Sequence, residues 1–243
     1  VPKAATAINP FSSRFADIMA GEVGTGSYKP LSNEKYQDLF GEGIFCGKGL
    51  IDVDAYYEIM QDNLPEETVL SHDIVESGFL RAGYVSDIHI TESFPQTTNS
   101  YFARLKRWTR GDWQNISFIF GKNSLNFLSR YKLSDNILRS IQVPVSVAVL
   151  LFSITVEGRI ASLIAIAALI SLCASDLFSG ISAVISGGFY EISRNFYSDT
   201  VPYVIGCFAR AFFGISLSVK QSVATVSAVF KALWRLLVSK KNL

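Results

Sequence analysis

IQVPVSVAVLLFSITVEGRIASLIAIAALISLCA, residues 141 to 174, decides the fold. Two apolar runs of about sixteen residues flank the break Glu157-Gly158-Arg159, and no charge interrupts either run. A straight bilayer crossing takes roughly 20 residues, and the polar residues at the run ends can sit in the headgroup layer. A helix pair buried in a soluble core is the competing reading. The absence of charge favours a transmembrane helical hairpin over 136–175. Lys122, Arg130, Lys132 and Arg139 precede it. Arg194, Arg210, Lys220, Lys231, Arg235, Lys240 and Lys241 follow it. Positive residues stay on the cytoplasmic side, so both ends are expected there, with the Glu157–Arg159 turn outside.

Working outward, composition agrees. Of 243 residues 49% are hydrophobic and 18% charged, and the net charge is +1. That balance argues against a nucleic-acid partner or an acidic tail. Cys46, Cys173 and Cys207 are an odd set without paired spacing, which fits a reducing compartment. His72 and His89 have no ligand spacing, and no metal is assigned to them. The chain opens on VPKAATAINPF and stops at SKKNL without a secretory or terminating signal, so it reads as part of a longer protein.

After the hairpin, 176–200 carries glycine pairs and reads as a loop or re-entrant helix. Residues 201–219 are apolar but include Arg210, which suits an interfacial helix better than a third span. Val223, Val226, Phe230, Leu233 and Leu237 keep helical spacing, with Lys231 and Arg235 off the stripe, as in a basic membrane-surface helix.

Residues 1–135 alternate charged and apolar positions like a soluble domain. A short helix is expected in FSSRFADIMAG, a glycine turn or strand at 41–51, a helix capped by Asp52 or Asp54, and a helix from Ser71 to a stop at Gly83. Residues 84–92 alternate as a strand, and FPQTTNS supplies caps for a helix running through RLKRWTRGDWQ, 104–114. In that helix Arg104, Arg107, Trp108 and Gly111 fall on one face. The face is either a binding surface for an anion and a flat apolar ligand, or a solvated basic surface anchored by tryptophan.

These motifs, taken together, resemble the membrane-embedded processive glycosyltransferases of the cellulose synthase type. Arg104-Leu105-Lys106-Arg107-Trp108 fits their shared signature of Gln or Arg, two residues, then Arg-Trp. The fuller text is closer still to bacterial cyclic β-1,2-glucan synthases. GEGIF-GKG-DVDA at 41–55, LSHD and Glu76 at 70–76, RAG-VSDI at 81–88, RW-RGDWQ at 107–114 and SDNILRS at 134–140 follow that family's order. The resemblance implies an α/β fold for 1–135, the C-terminal part of a partial Rossmann-like, A-type cytoplasmic glycosyltransferase domain. The hairpin and the membrane-associated helices of 176–243 then follow, with a possible further span at 201–219.

It also implies an inverting transfer of glucose from UDP-glucose to a growing glucan at the inner membrane. Asp73 matches the catalytic aspartate, a base for the incoming sugar hydroxyl. Arg104 and Arg107 would meet the diphosphate, and Trp108 the glucan, with Trp113 and Gln114 extending that surface. Phe45, Cys46 and Gly47 match a turn that approaches donor and acceptor. A Mg or Mn ion is expected for the complete enzyme, its ligands lying upstream of this chain in a nucleotide-binding half that must be supplied separately. Asp52-Val53-Asp54 looks like a metal-binding DxD but opens a helix after a glycine turn, so it is not read as one. Two other readings stand beside this: a catalytically inactive membrane fragment, and a membrane protein whose basic-aromatic helix binds lipid headgroups.

Overall fold

A computed structural model describes residues 1–6, 13–20, 36–45, 47–64, 69–70, 72–190 and 200–239. The elements are β1 (Pro2–Thr6), α1 (Arg14–Ala20), α2 (Val53–Asn63), α3 (Asp73–Leu80), β2 (Val85–Glu92), α4 (Thr98–Gln114), α5 (Ile116–Phe120), α6 (Phe127–Ser153), α7 (Arg159–Tyr190) and α8 (Val201–Trp234). A π-helical turn, Arg235–Ser239, continues α8.

The chain is mostly helical, and this corrects the expected fold class. Among the described residues the only strands are β1 and β2, paired in parallel with Lys3 opposite His89 and Thr6 opposite Glu92. One strand pair is not a doubly wound sheet, so a partial Rossmann-like layer is not supported. The glycine-rich stretch around 41–51 is irregular rather than extended.

Local chemistry accounts for the soluble helices. Asp52 caps α2, its Oδ1 accepting the Asp54 and Ala55 backbone N–H groups at 3.1 Å each. Thr97 and Ser100 form a reciprocal capping box on α4. Helix α3 stops at Leu80 rather than at Gly83, capped by Arg81 in the left-handed region at φ 60°. Ser71, the expected cap at its other end, lies outside the described residues, as do Arg194, Lys240 and Lys241.

Two units can be separated, Val1–Pro10 with Val23–Ser140 and Ser227–Leu243, and Phe11–Glu22 with Ile141–Val226. In the first, Ile74 and Val75 of α3 join Ile119, Leu125 and Leu133 in a core flanked by Phe79, Phe118 and Ile137. Gly78 makes this packing possible: a Cβ there would stand 2.7 Å from Leu125 Cδ2 and 3.0 Å from Ser129 Cβ. Arg130 seals the 119–125 loop, donating to the carbonyls of Ile119, Gly121, Asn123 and Leu125.

Among the described residues, three helical segments are long and apolar enough to cross a membrane: Phe127–Ser153, Arg159–Ile185 and Val201–Ser239. The first two join through a tight turn in which Gly158 takes φ 74°. In the second unit Phe152, Leu163, Phe178, Phe208 and Phe212 are exposed, an apolar exterior suited to lipid. Residues 176–190, expected as a loop or re-entrant helix, continue α7, and 201–219, the possible further span, belong to one long helix that is long and apolar enough to cross. Arg210, the residue that argued against a span, is neutralised: its Nε lies 3.1 Å from Asp176 Oδ1 on α7. Gly180 faces Cys207 across the helix pair, where a Cβ would make ordinary contact at 3.5 Å.

Replacing Arg210 by Met strands the Asp176 carboxylate among apolar side chains. It should destabilise the helix pair by about 2 kcal/mol, read as a lower unfolding midpoint in detergent micelles. Adding Asp176→Asn to the same protein should recover most of the loss.

Candidate active site

The geometry starts with Asp73, the first residue of α3. Gly47 faces it directly. A Cβ built on Gly47 would stand 3.0 Å from Asp73 Oδ2, and the glycine holds φ 82°, so no other residue fits without strain. The bare backbone of the glycine turn therefore lies against the carboxylate. Burial raises the Asp73 pKa above the ordinary carboxylate value; His72 pulls it down and Glu76 pushes it up.

Glu76 is buried. Its Oε1 is 2.7 Å from His72 Nδ1 and accepts the Tyr56 hydroxyl at 2.8 Å. That bond, more than burial, raises the Tyr56 pKa. A cleft of about 240 Å³ opens beside this group, lined by Phe45, Leu50, Ile51, Asp52, Glu76 and Ser77.

From Gly47 a series of interactions runs to α4. Lys48 pairs with Glu92 at the end of β2. Glu92 in turn favours the charge of Arg104, although burial, the larger effect, lowers that guanidinium's pKa. Arg104 lies over the Trp108 ring, 4.2 Å from its centroid. Trp108 is 40% exposed, and Arg107 is exposed beside it. Thus Asp73, Gly47, Arg104 and Trp108, dispersed in the chain, are linked by successive neighbours. Phe45 is buried and touches the turn at Gly49, whereas Cys46 lies outside the described residues.

Trp113 and Gln114 turn inward instead of extending the Trp108 surface. The Trp113 indole N–H donates to Ser140 Oγ at 2.9 Å, and Gln114, 4% exposed, accepts the Leu70 backbone N–H at 2.9 Å.

With this arrangement in view, the chain was compared with known proteins. Over 136 residues, 56% of its length, it is 40% identical to the cyclic beta-(1,2)-glucan synthase NdvB of Rhizobium meliloti (strain 1021). The two are related. The chain spans about 5% of the length of NdvB. No model of a known protein family matches the chain.

The residues present do not make a convincing metal centre. Among the described residues, only His72, Asp73 and Glu76 bring three donor groups within 4.8 Å of one another. Glu76 Oε1 is already taken by His72 and Tyr56, and Asp52 spends an oxygen on its helix cap. Sequence reasoning gave Glu76 and Glu42 no role. Glu42 is 1% exposed and held 3.2 Å from both Lys132 Nζ and Arg81 Nε. Its signal was a place inside a glycine-flanked motif, where an acid has no solvent-exposed reason to be.

Asp112 carries a pH prediction. Burial raises its pKa to about 6, opposed by the Asn136 hydrogen bond. The folded value exceeds the unfolded carboxylate value of about 3.9. Asp112 therefore favours the folded state below that lower value, and the benefit is lost as pH rises through about 6. Thermal midpoints should fall between about pH 4 and 7, and Asp112→Asn should flatten that fall.

Proposed function

We propose that this chain carries the base and the acceptor side of an inverting glucosyl transfer that builds a cyclic β-1,2-glucan. The observation that carries the reading is the Asp73 carboxylate pressed against the Cβ-less backbone of Gly47, in a chain related to NdvB. A carboxylate whose pKa is raised by burial is a better proton acceptor near neutrality than a solvated one.

In the reaction, the acceptor hydroxyl gives its proton to Asp73 as its oxygen attacks the anomeric carbon of UDP-glucose. The bond from that carbon to the diphosphate breaks, and UDP leaves with the electron pair. Inversion follows from attack opposite the leaving group. Arg107, with Arg104 behind it, stabilises the charge growing on the diphosphate. Trp108 offers its exposed surface to a glucose ring of the acceptor. The nucleotide site belongs to a half of the domain outside these residues. A Mg or Mn ion bound there would help neutralise the diphosphate, and no step above depends on it.

The reading places the protein in the bacterial inner membrane, with α6 and α7 as a hairpin whose 154–158 turn faces outward. Having both ends cytoplasmic requires an even number of crossings. The charges Lys220, Lys231 and Arg235 spread along α8 and its continuation favour laying that helix at the inner surface.

Vesicles of the full-length protein supplied with labelled UDP-glucose test the chemistry. Asp73→Asn should lower glucan synthesis by at least about 10²-fold, the usual scale for loss of a general base. Equal incorporation by variant and parent would falsify the assignment. A Gly158→Cys variant, in a cysteine-free background, should react with an impermeant maleimide added outside intact inner-membrane spheroplasts.

A further inference from the structure

Three consecutive side chains, Asp112, Trp113 and Gln114, are left over from the proposed chemistry. They form the last turn of α4, where successive residues point about 100° apart. Each reaches a different backbone or side-chain partner. Asp112 Oδ1 accepts from Asn136 Nδ2 at 3.2 Å, and the Trp113 indole N–H donates to Ser140 Oγ at 2.9 Å. Asn136 and Ser140 sit one turn apart on α6 and so present a single ladder to α4. Ser140 passes the chain of bonds on, its hydroxyl donating to the Ile137 carbonyl at 2.7 Å. Gln114 reaches away from α6, accepting the N–H of Leu70, three positions before Asp73.

We infer that Asp112, Trp113 and Gln114 act as a clasp that fixes the approach to Asp73 to α6, and that Gln114 is a positioning residue for the base. The partners decide this. A residue that merely filled space would not need an amide oxygen aimed at one backbone N–H from a site 4% exposed to solvent. Glutamine suits the task because it accepts that N–H without burying a charge. Asparagine, one methylene shorter, falls short of Leu70. Tryptophan rather than phenylalanine is required at 113 because the contact to α6 is made by the indole N–H.

The catalytic half of this inference rests on the transferase reading, and the test separates the two. Amide hydrogen exchange of the full-length protein in nanodiscs reports the segment around Leu70 directly. Gln114→Leu removes the acceptor, so the Leu70 amide should exchange roughly tenfold faster, while β2 amides keep their rate. Trp113→Phe and the milder Ser140→Ala should speed the same amide by a smaller factor. In labelled-glucan assays Gln114→Leu should lower kcat by roughly tenfold and change KM for UDP-glucose less than about twofold. Unchanged exchange at Leu70 in both Gln114→Leu and Ser140→Ala overturns the clasp. Faster exchange with an unaltered kcat overturns the positioning role. If exchange responds but the parent protein makes no glucan, the clasp stands and the transferase reading falls.

Discussion

Glu42 is 1% exposed, and removing a carboxylate from water to that degree costs several kcal/mol unless cations meet it. Lys132 and Arg81 do so, each at 3.2 Å, and the Lys132 ammonium also donates to the Gly43 carbonyl at 3.1 Å. Those contacts join three segments remote in the chain: the glycine turn, the end of α3 and the start of α6. The rest of the site depends on that junction. With the turn held at Glu42 and Gly43, Gly47 comes to rest against Asp73; with α3 held at Arg81, Asp73 is fixed at the other end of the same two-turn helix. Arg81 accepts a left-handed backbone, rare for a residue other than glycine, to make its part of the contact.

What the sequence disclosed was what neighbours in the sequence determine. The cap at Asp52 or Asp54, the cap residues ahead of α4, and the hairpin around 157–159 are local, and each was legible. Strand β1 was not, because Lys3 to Thr6 become a strand only by pairing with residues more than eighty positions away. Residues 176–190 read as a loop or re-entrant helix because Gly180 and the glycine pair beyond it break helices in water. In an apolar setting, where backbone groups must bond internally, the same stretch continues as regular helix. Arg210 shows a related limit: its partner Asp176 lies on another helix, invisible to a hydropathy window.

Charge counting met the same limit. Arg130 and Lys132 counted toward the cytoplasmic side, yet one is folded over four carbonyls and the other is tied to Glu42. Arg139 is paired with Asp135 one turn away at 2.5 Å. Cations with internal partners still resist translocation, but their positions are set by folding first. Depth gives an independent handle. At about 1.5 Å per residue, Asp176 stands roughly 26 Å along α7 from Arg159, close to the full thickness of a bilayer's hydrocarbon core of about 30 Å. An ion pair there meets the far headgroup layer, where its burial is least costly.

The first four turns of helix α6 gather the partners that hold the candidate site. Ser129, Lys132, Leu133, Asn136, Ile137 and Ser140 recur at spacings of three and four, so they share a face. Ser129 abuts the open side of Gly78, Lys132 meets Glu42, Leu133 and Ile137 pack on α3, and Asn136 and Ser140 take the bonds from Asp112 and Trp113. Four of those six residues are polar, and for that reason the stretch reads as a solvated lead-in when judged by hydropathy. Its polarity is spent inward, on partners that hold the α3 carboxylate and the end of α4. The same helix continues past Pro144 into its apolar part without a break.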